Sequence, residues 1–159
     1  MYPREEEIIG WAIKKGIVEA DDKLKQGLKT VEEIAELVKH SIKGEDIRDD
    51  IGDIYVTIVV QAHMNGLNMK KCHKNPYEME TREETKFALV DLVLAVGMLL
   101  DSIEREDSVD IWISNIYNGL INICDMENLS LPCCIEIAYN EIKGRTGKMV
   151  NGIFIKDKK

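Results

Sequence analysis

The chain has 159 residues, 45% hydrophobic and 31% charged, with a formal net charge of −8 at pH 7, a profile that fits one globular domain with a real core. That charge argues against a broad nucleic-acid or anionic-membrane surface, and no stretch approaches the roughly 20 uninterrupted apolar residues of a membrane span. The start, Met1-Tyr2-Pro3-Arg4 followed by three glutamates, lacks the basic and apolar regions of a secretory signal, so a cytoplasmic protein is expected, with Cys72, Cys124, Cys133 and Cys134 as thiols.

The apolar spacing predicts an all-α protein. Helices are expected over about 4–16, 22–42, 45–65, 82–105, 108–126 and 129–144, followed by an extended tail over 146–159. Asp21 and Asp22 are N-cap candidates for the second helix, and Thr81 with Glu84 forms a capping box for the fourth. Gly44, Gly66 and Gly144 are stop signals. No Asn-Gly pair is expected to turn a hairpin, because Asn65-Gly66 and Asn151-Gly152 follow helical segments.

In the second helix Leu24, Leu28, Val31, Ile34, Ala35, Val38 and Ile42 share an arc of roughly 100° and read as the core stripe, with Gln26, Lys29, Glu33 and Glu36 opposite. In the third, Ile47, Ile51, Ile54, Tyr55, Ile58 and Ala62 form the stripe, with Asp46, Asp50, Asp53 and Thr57 on the far face. Acids opposite a core stripe are ordinarily a wet surface. Here the acids of the third helix lack a basic residue four positions on, and Val56 and Val60 flank them, so both sides of that helix are expected to meet protein.

Two acids three residues apart share a helical face. Glu33 with Glu36 and Asp50 with Asp53, on adjacent helices, would bring four carboxylates together, which like charges tolerate poorly without a cation. Hard carboxylate oxygens suit Mg²⁺, with Mn²⁺ as a substitute, and a phosphate-bearing ligand. The register leaves Glu32 with Glu36, or Asp49 with Asp53, as other one-turn pairs.

A faint internal repeat runs through the chain. Thr30-Val31-Glu32-Glu33 recurs as Thr81-Arg82-Glu83-Glu84, with Glu36 then corresponding to Phe87. Leu67, Cys72 and Tyr77 reappear sixty-two positions later as Leu129, Cys134 and Tyr139, an offset that turns Asp50 into Trp112 and Asp53 into Asn115. The second half would then keep the scaffold and lack the ligands, in a degenerate duplication of a two-helix unit. One domain over 1–159 is expected, with a metal-site half over about 1–66 and a scaffold half over about 80–145.

These acids resemble the MazG-like branch of the all-α nucleoside triphosphate pyrophosphohydrolases, whose pattern is E-E-x-x-E on one helix and E-x-x-D on the next. Here it reads Glu32-Glu33-Ile34-Ala35-Glu36, then Asp50-Ile51-Gly52-Asp53, with Asp50 where Glu is commoner. The segment from Ala138 through Lys143 and Arg145 to Phe154 is similar to the tail of phage-type MazG-like proteins, and the long 80–125 segment looks like the larger relatives that include dimeric dUTPases. The resemblance implies Mg²⁺-dependent hydrolysis of a (deoxy)nucleoside triphosphate to the monophosphate and pyrophosphate. It assigns Glu33, Glu36, Asp50 and Asp53 as metal ligands and catalytic acids, one of them orienting the water.

Given such a substrate, Lys29 is a candidate phosphate contact or a plain partner of Glu33. Asn140, Lys143 and Arg145 are expected to close over the substrate, or else to be charges at a helix C-terminus. Gln26 would read a base edge and Trp11 would stack on the base or anchor the core. A homodimer is expected, with a tetramer second, because too many half-apolar helices remain to be buried by one chain.

The alternative is a non-catalytic nucleotide or metal sensor, or a helical interaction protein with a relic site. A di-iron bundle would want Glu-x-x-His steps, which are absent. A zinc site is poorly served by the adjacent Cys133-Cys134 or by Cys72-His73, and Cys133-Cys134 lacks a nearby His or Lys that would activate it as a nucleophile.

Overall fold

In the computed structural model, which describes residues 2–73 and 81–158, the chain is mostly helical. The first expected helix is divided. α1 (Glu5–Lys14) stops before Gly16, whose φ of 78° turns the chain into the short α2 (Ile17–Ala20). α3 (Lys23–Ile42) starts where the sequence signals it, with the Asp22 carboxylate accepting the Lys25 N–H at 3.1 Å. α4 (Arg48–Met64) follows a five-residue link in which Gly44 has φ 69°. A single turn, α5 (Met69–Cys72), was not expected.

α6 (Thr85–Glu104) begins three residues later than predicted. Glu84 itself occupies the N-cap position and makes no side-chain cap, so the expected capping box does not form. α7 (Asp110–Met126) and α8 (Leu131–Ile142) complete the helices, α8 capped by the Ser130 hydroxyl. Among the described residues no helix is long and apolar enough to cross a membrane.

The tail corrects the sequence expectation. β1 (Gly147–Val150) pairs antiparallel with β2 (Ile153–Lys156) around Asn151-Gly152, whose φ values are 51° and 79°. Positive φ at both central residues is the hairpin turn that Asn-Gly favours. The dipeptide therefore acts as a hairpin signal here despite following a helix.

α4 is the central rod. Ile51, Ile54, Tyr55, Ile58 and Ala62 are fully buried, as the stripe predicts, and Val56, Val59 and Val60 are buried as well. α3 and α8 pack on either side of it. At Gly52 a Cβ would stand 2.2 Å from the Cys134 carbonyl oxygen, so only glycine lets α8 lie this close.

α3 is rotated relative to its expected stripe. Ile34 is buried, together with Gly27, Thr30, Glu33 and Leu37, whereas Leu24, Leu28, Ala35 and Ile42 are exposed. The reason lies at Gly27, where a Cβ would meet Leu100 and Ile103 of α6. α6 nestles there, and α4 takes the neighbouring face. The contact sets the start of α3 beside the end of α6, so these two helices run antiparallel.

The two halves match element by element. α3 and α6 are both 20 residues long, α4 and α7 both 17, and each pair starts sixty-two positions apart, as do α5 and α8. Small features keep the same offset. Gly44 and Glu106 both have positive φ, as do Gly66 and Asn128. Asn68 and Ser130 both cap the helix that follows. Tyr55 and Tyr117 meet with ring centroids 6.0 Å apart. The other expected correspondence fails: Thr30 lies within α3 while Thr81 precedes α6, so Glu36 is matched by Met98 and not by Phe87. Tyr77 lies outside the described residues.

Candidate functional site

Beneath the tail hairpin, α3 and α4 open a pocket of about 380 Å³. α3 contributes Lys25, Gln26, Lys29, Glu32, Glu33 and Glu36, and α4 contributes Asp49, Asp53, Val56, Thr57 and Val60. Glu141 and Arg145 approach from the end of α8, and Trp11, Ile17, Ile153 and Phe154 form an apolar wall. The pocket is thus acidic at one end and aromatic at the other.

Three hydrogen bonds fasten its floor. The Thr30 hydroxyl donates to the Thr57 hydroxyl at 3.0 Å, which donates to the Ile54 carbonyl at 2.7 Å, and the Gln26 amide donates to the Thr57 carbonyl at 3.1 Å. Lys25 donates to the Asn151 carbonyl at the tip of the hairpin. Phe154 meets Trp11 edge-on with centroids 6.2 Å apart, and the Lys15 ammonium lies over its ring. The hairpin is therefore tied to α1 and α3, across the pocket.

The acids perturb one another. Burial, reinforced by Glu33, Asp49 and Glu141 and opposed by Arg145, pushes the Asp53 carboxyl up to about 8. Burial also raises Glu33, against the pull of Lys29. Asp49 rises through burial and then through Glu141. Lys29 supplies countercharge, 3.2 Å from Glu32 and 3.3 Å from Glu33, and Arg145 pairs with Glu141 at 2.9 Å. Two orphaned atoms also belong to pocket residues: Asp49 Oδ1 and the indole N–H of Trp11 are buried without a hydrogen-bond partner.

Of the four acids the sequence singles out, Glu33, Glu36 and Asp53 line this pocket and Asp50 does not. Asp50 is buried against α3, where it holds His40 Nδ1 at 2.7 Å. Helical phase explains this. Asp49, Asp53, Val56 and Val60 fall on one face, and Asp50 sits on its flank. The repeat supports a scaffolding role, because sixty-two positions on, the Trp112 indole donates to the Ser102 hydroxyl at 3.0 Å in the place of the His40–Asp50 bond. Asp46, also expected on the acidic face, turns outward to Arg48 at 2.6 Å.

Trp11, Gln26, Lys29 and Arg145 line the pocket, whereas Asn140 and Lys143 are exposed outside it, with Lys143 over the Tyr139 ring. Lys29 makes the i,i+4 pair with Glu33 that its spacing allows. Sequence reasoning did not single out Glu141 or Phe154. The signal available for Glu141 was Arg145 four residues on, and for Phe154 it was the Asn-Gly turn that folds β2 back.

The donor set fits a hard divalent cation: carboxylate oxygens from three helices surround half-buried Asp53, which cannot ionise freely beside its neighbours. Glu33, Glu36, Asp49, Asp53 and Glu141 are the residues that could hold one. Among the described residues no three such side chains already lie as a tight metal cluster. No family model, curated protein or solved structure matches the chain.

Proposed function

We propose that this pocket hydrolyses a (deoxy)nucleoside triphosphate to the monophosphate and pyrophosphate, with Mg²⁺ bound among its carboxylates. The observation that carries the proposal is the crowding of Glu33, Asp49 and Glu141 around Asp53, which adds to the larger effect of burial in pushing that acid's pKa up to about 8. Such crowding costs stability and is relieved by a cation. The resemblance of Glu32-Glu33-x-x-Glu36 and the second acidic step to MazG-like enzymes supports the same reaction. Asp49 replaces Asp50 in the ligand set on this reading.

Mg²⁺, when bound, would neutralise the triphosphate and acidify an attacking water. The chain supplies the rest. Glu36 is exposed at the pocket rim and has the reach to orient the water and accept its proton. Lys29 and Arg145 can exchange their carboxylate partners for phosphate oxygens once a cation takes the carboxylates, and Lys25 stands beside them. Trp11 and Phe154 form a wall against which a nucleobase can lie, with the unpaired indole N–H as a donor to its edge. The form proposed to act is a cytoplasmic homodimer.

The test is product analysis with a panel of dNTPs and NTPs plus Mg²⁺, for the wild type and for Glu36→Gln and Asp53→Asn. Monophosphate and pyrophosphate are expected, with turnover falling at least about 100-fold in both variants. Folded protein that binds nucleotide and turns none over would establish the sensor alternative, and diphosphate with free phosphate would move the cut to another bond.

A further inference from the structure

We propose that the outer face of the α3–α6 layer is the surface on which a second copy of this chain docks, making a two-fold dimer. The inference is independent of the catalytic reading. On α6, Phe87, Val90, Val93, Leu94 and Met98 project outward for three turns, with Leu94 63%, Val90 53% and Phe87 48% exposed. Gly97 sits among them with nothing within 4 Å of where its Cβ would be. The inner arc of the same helix, Leu92, Val96 and Leu99, is already buried, so α6 is apolar around most of its circumference. A helix of that kind belongs inside a packed structure.

α3 continues the face. Leu24 and Leu28 are exposed, Leu28 by 51%, and with Val31 and Ala35 they lie on the side of α3 away from α4. The repeat pairs these positions, so that Leu28, Val31 and Ala35 correspond to Val90, Val93 and Gly97. Two antiparallel helices thus present matching apolar stripes outward, with the core behind them.

Three features choose a second copy over other occupants. A two-helix layer with one open face is completed by another such layer, giving a four-helix core. The exposed side chains amount to on the order of 600 Å² per chain, the upper end of what monomers leave open. Two copies then reach the roughly 1,200 Å² at which stable interfaces begin. The face is edged by Glu32, Asp101 and Glu104 alongside Lys39, Lys86 and Arg105, on a chain whose net charge of −8 repels an anionic bilayer. Gly97 lets a partner helix approach closely near Leu94, where the two-fold would cross.

Sedimentation equilibrium at micromolar concentration reads the mass directly. The wild type is expected at twice the 18.1 kDa of the chain, and Leu94→Arg at the monomer mass with an unchanged helical circular-dichroism spectrum. Ile137→Arg, an exposed apolar residue on α8, is expected to remain a dimer. In a Cys133→Ser background, Leu94→Cys should give a disulfide-linked dimer on mild oxidation. A wild-type monomer would overturn the proposal, whether or not it binds phosphatidylcholine vesicles. So would a dimer that survives Leu94→Arg without cross-linking through Leu94→Cys.

Discussion

Asp53 and Asp50 are three residues apart on one helix, and their surroundings give them opposite tasks. Asp53 is raised by burial and three neighbouring carboxylates to about 8, from an ordinary value of 3.8. The folded chain therefore holds a proton that the unfolded chain releases between about pH 4 and pH 8. This group's contribution to stability is fully present below about pH 4 and is lost as pH rises through about 8. Without metal, Asp53→Asn should melt close to the wild type near pH 4 and several degrees above it at pH 9, as differential scanning calorimetry would record. Asp50 instead ties α4 to His40 of α3. Asp50→Ala should cost about 1–3 kcal/mol in urea unfolding while leaving turnover within a few-fold. Asp49→Ala should do the reverse, losing turnover at least about 100-fold with little loss of stability.

At the scale of elements, the site depends on how closely α8 approaches α4, because Glu141 and Arg145 lie at the end of α8. Gly52→Ala would put a methyl group 2.2 Å from the Cys134 carbonyl oxygen. That is a backbone clash, so the variant should lose about 3 kcal/mol or more and show reduced soluble yield and a lowered denaturation midpoint. The α4 stripe was legible in the sequence because core and pocket press on that helix from both sides, leaving its apolar residues few places to go. The α3 stripe misled, since an apolar face left open on one chain has the same periodicity as a face turned to the core. The choice between Asp49 and Asp50 could not be read from spacing, because steps of three and four residues both span one helical turn. Asn151-Gly152 carried its hairpin signal openly. Its strands are only four residues each, too short for a clear alternating pattern.

For the whole molecule, the matched halves show that the acidic cluster belongs to one half alone. At the offset of sixty-two, Glu33, Glu36, Asp49 and Asp53 become Ala95, Met98, Ile111 and Asn115. The second unit keeps helix lengths, caps and left-handed link residues, and it fills the place of three of the four acids with apolar side chains and of the fourth with Asn115. Asn115 is buried with its amide oxygen unpaired. Asn115→Asp should therefore destabilise the fold by about 2–4 kcal/mol at pH 7 and create no metal site, since no other carboxylate stands at the equivalent positions. Recovery of stability with added Mg²⁺ would contradict this.

The central claim is that the carboxylates around Asp53 crowd together because a divalent cation belongs among them. The most direct measurement is titration of the wild type and of Asp53→Asn with Mn²⁺, followed by water proton relaxation with Mg²⁺ as competitor, between pH 6 and pH 9. A site that tightens as pH rises towards 8, yields to Mg²⁺ and is lost in Asp53→Asn is the predicted result. Relaxation enhancement that is the same in both proteins, or independent of pH, would contradict it.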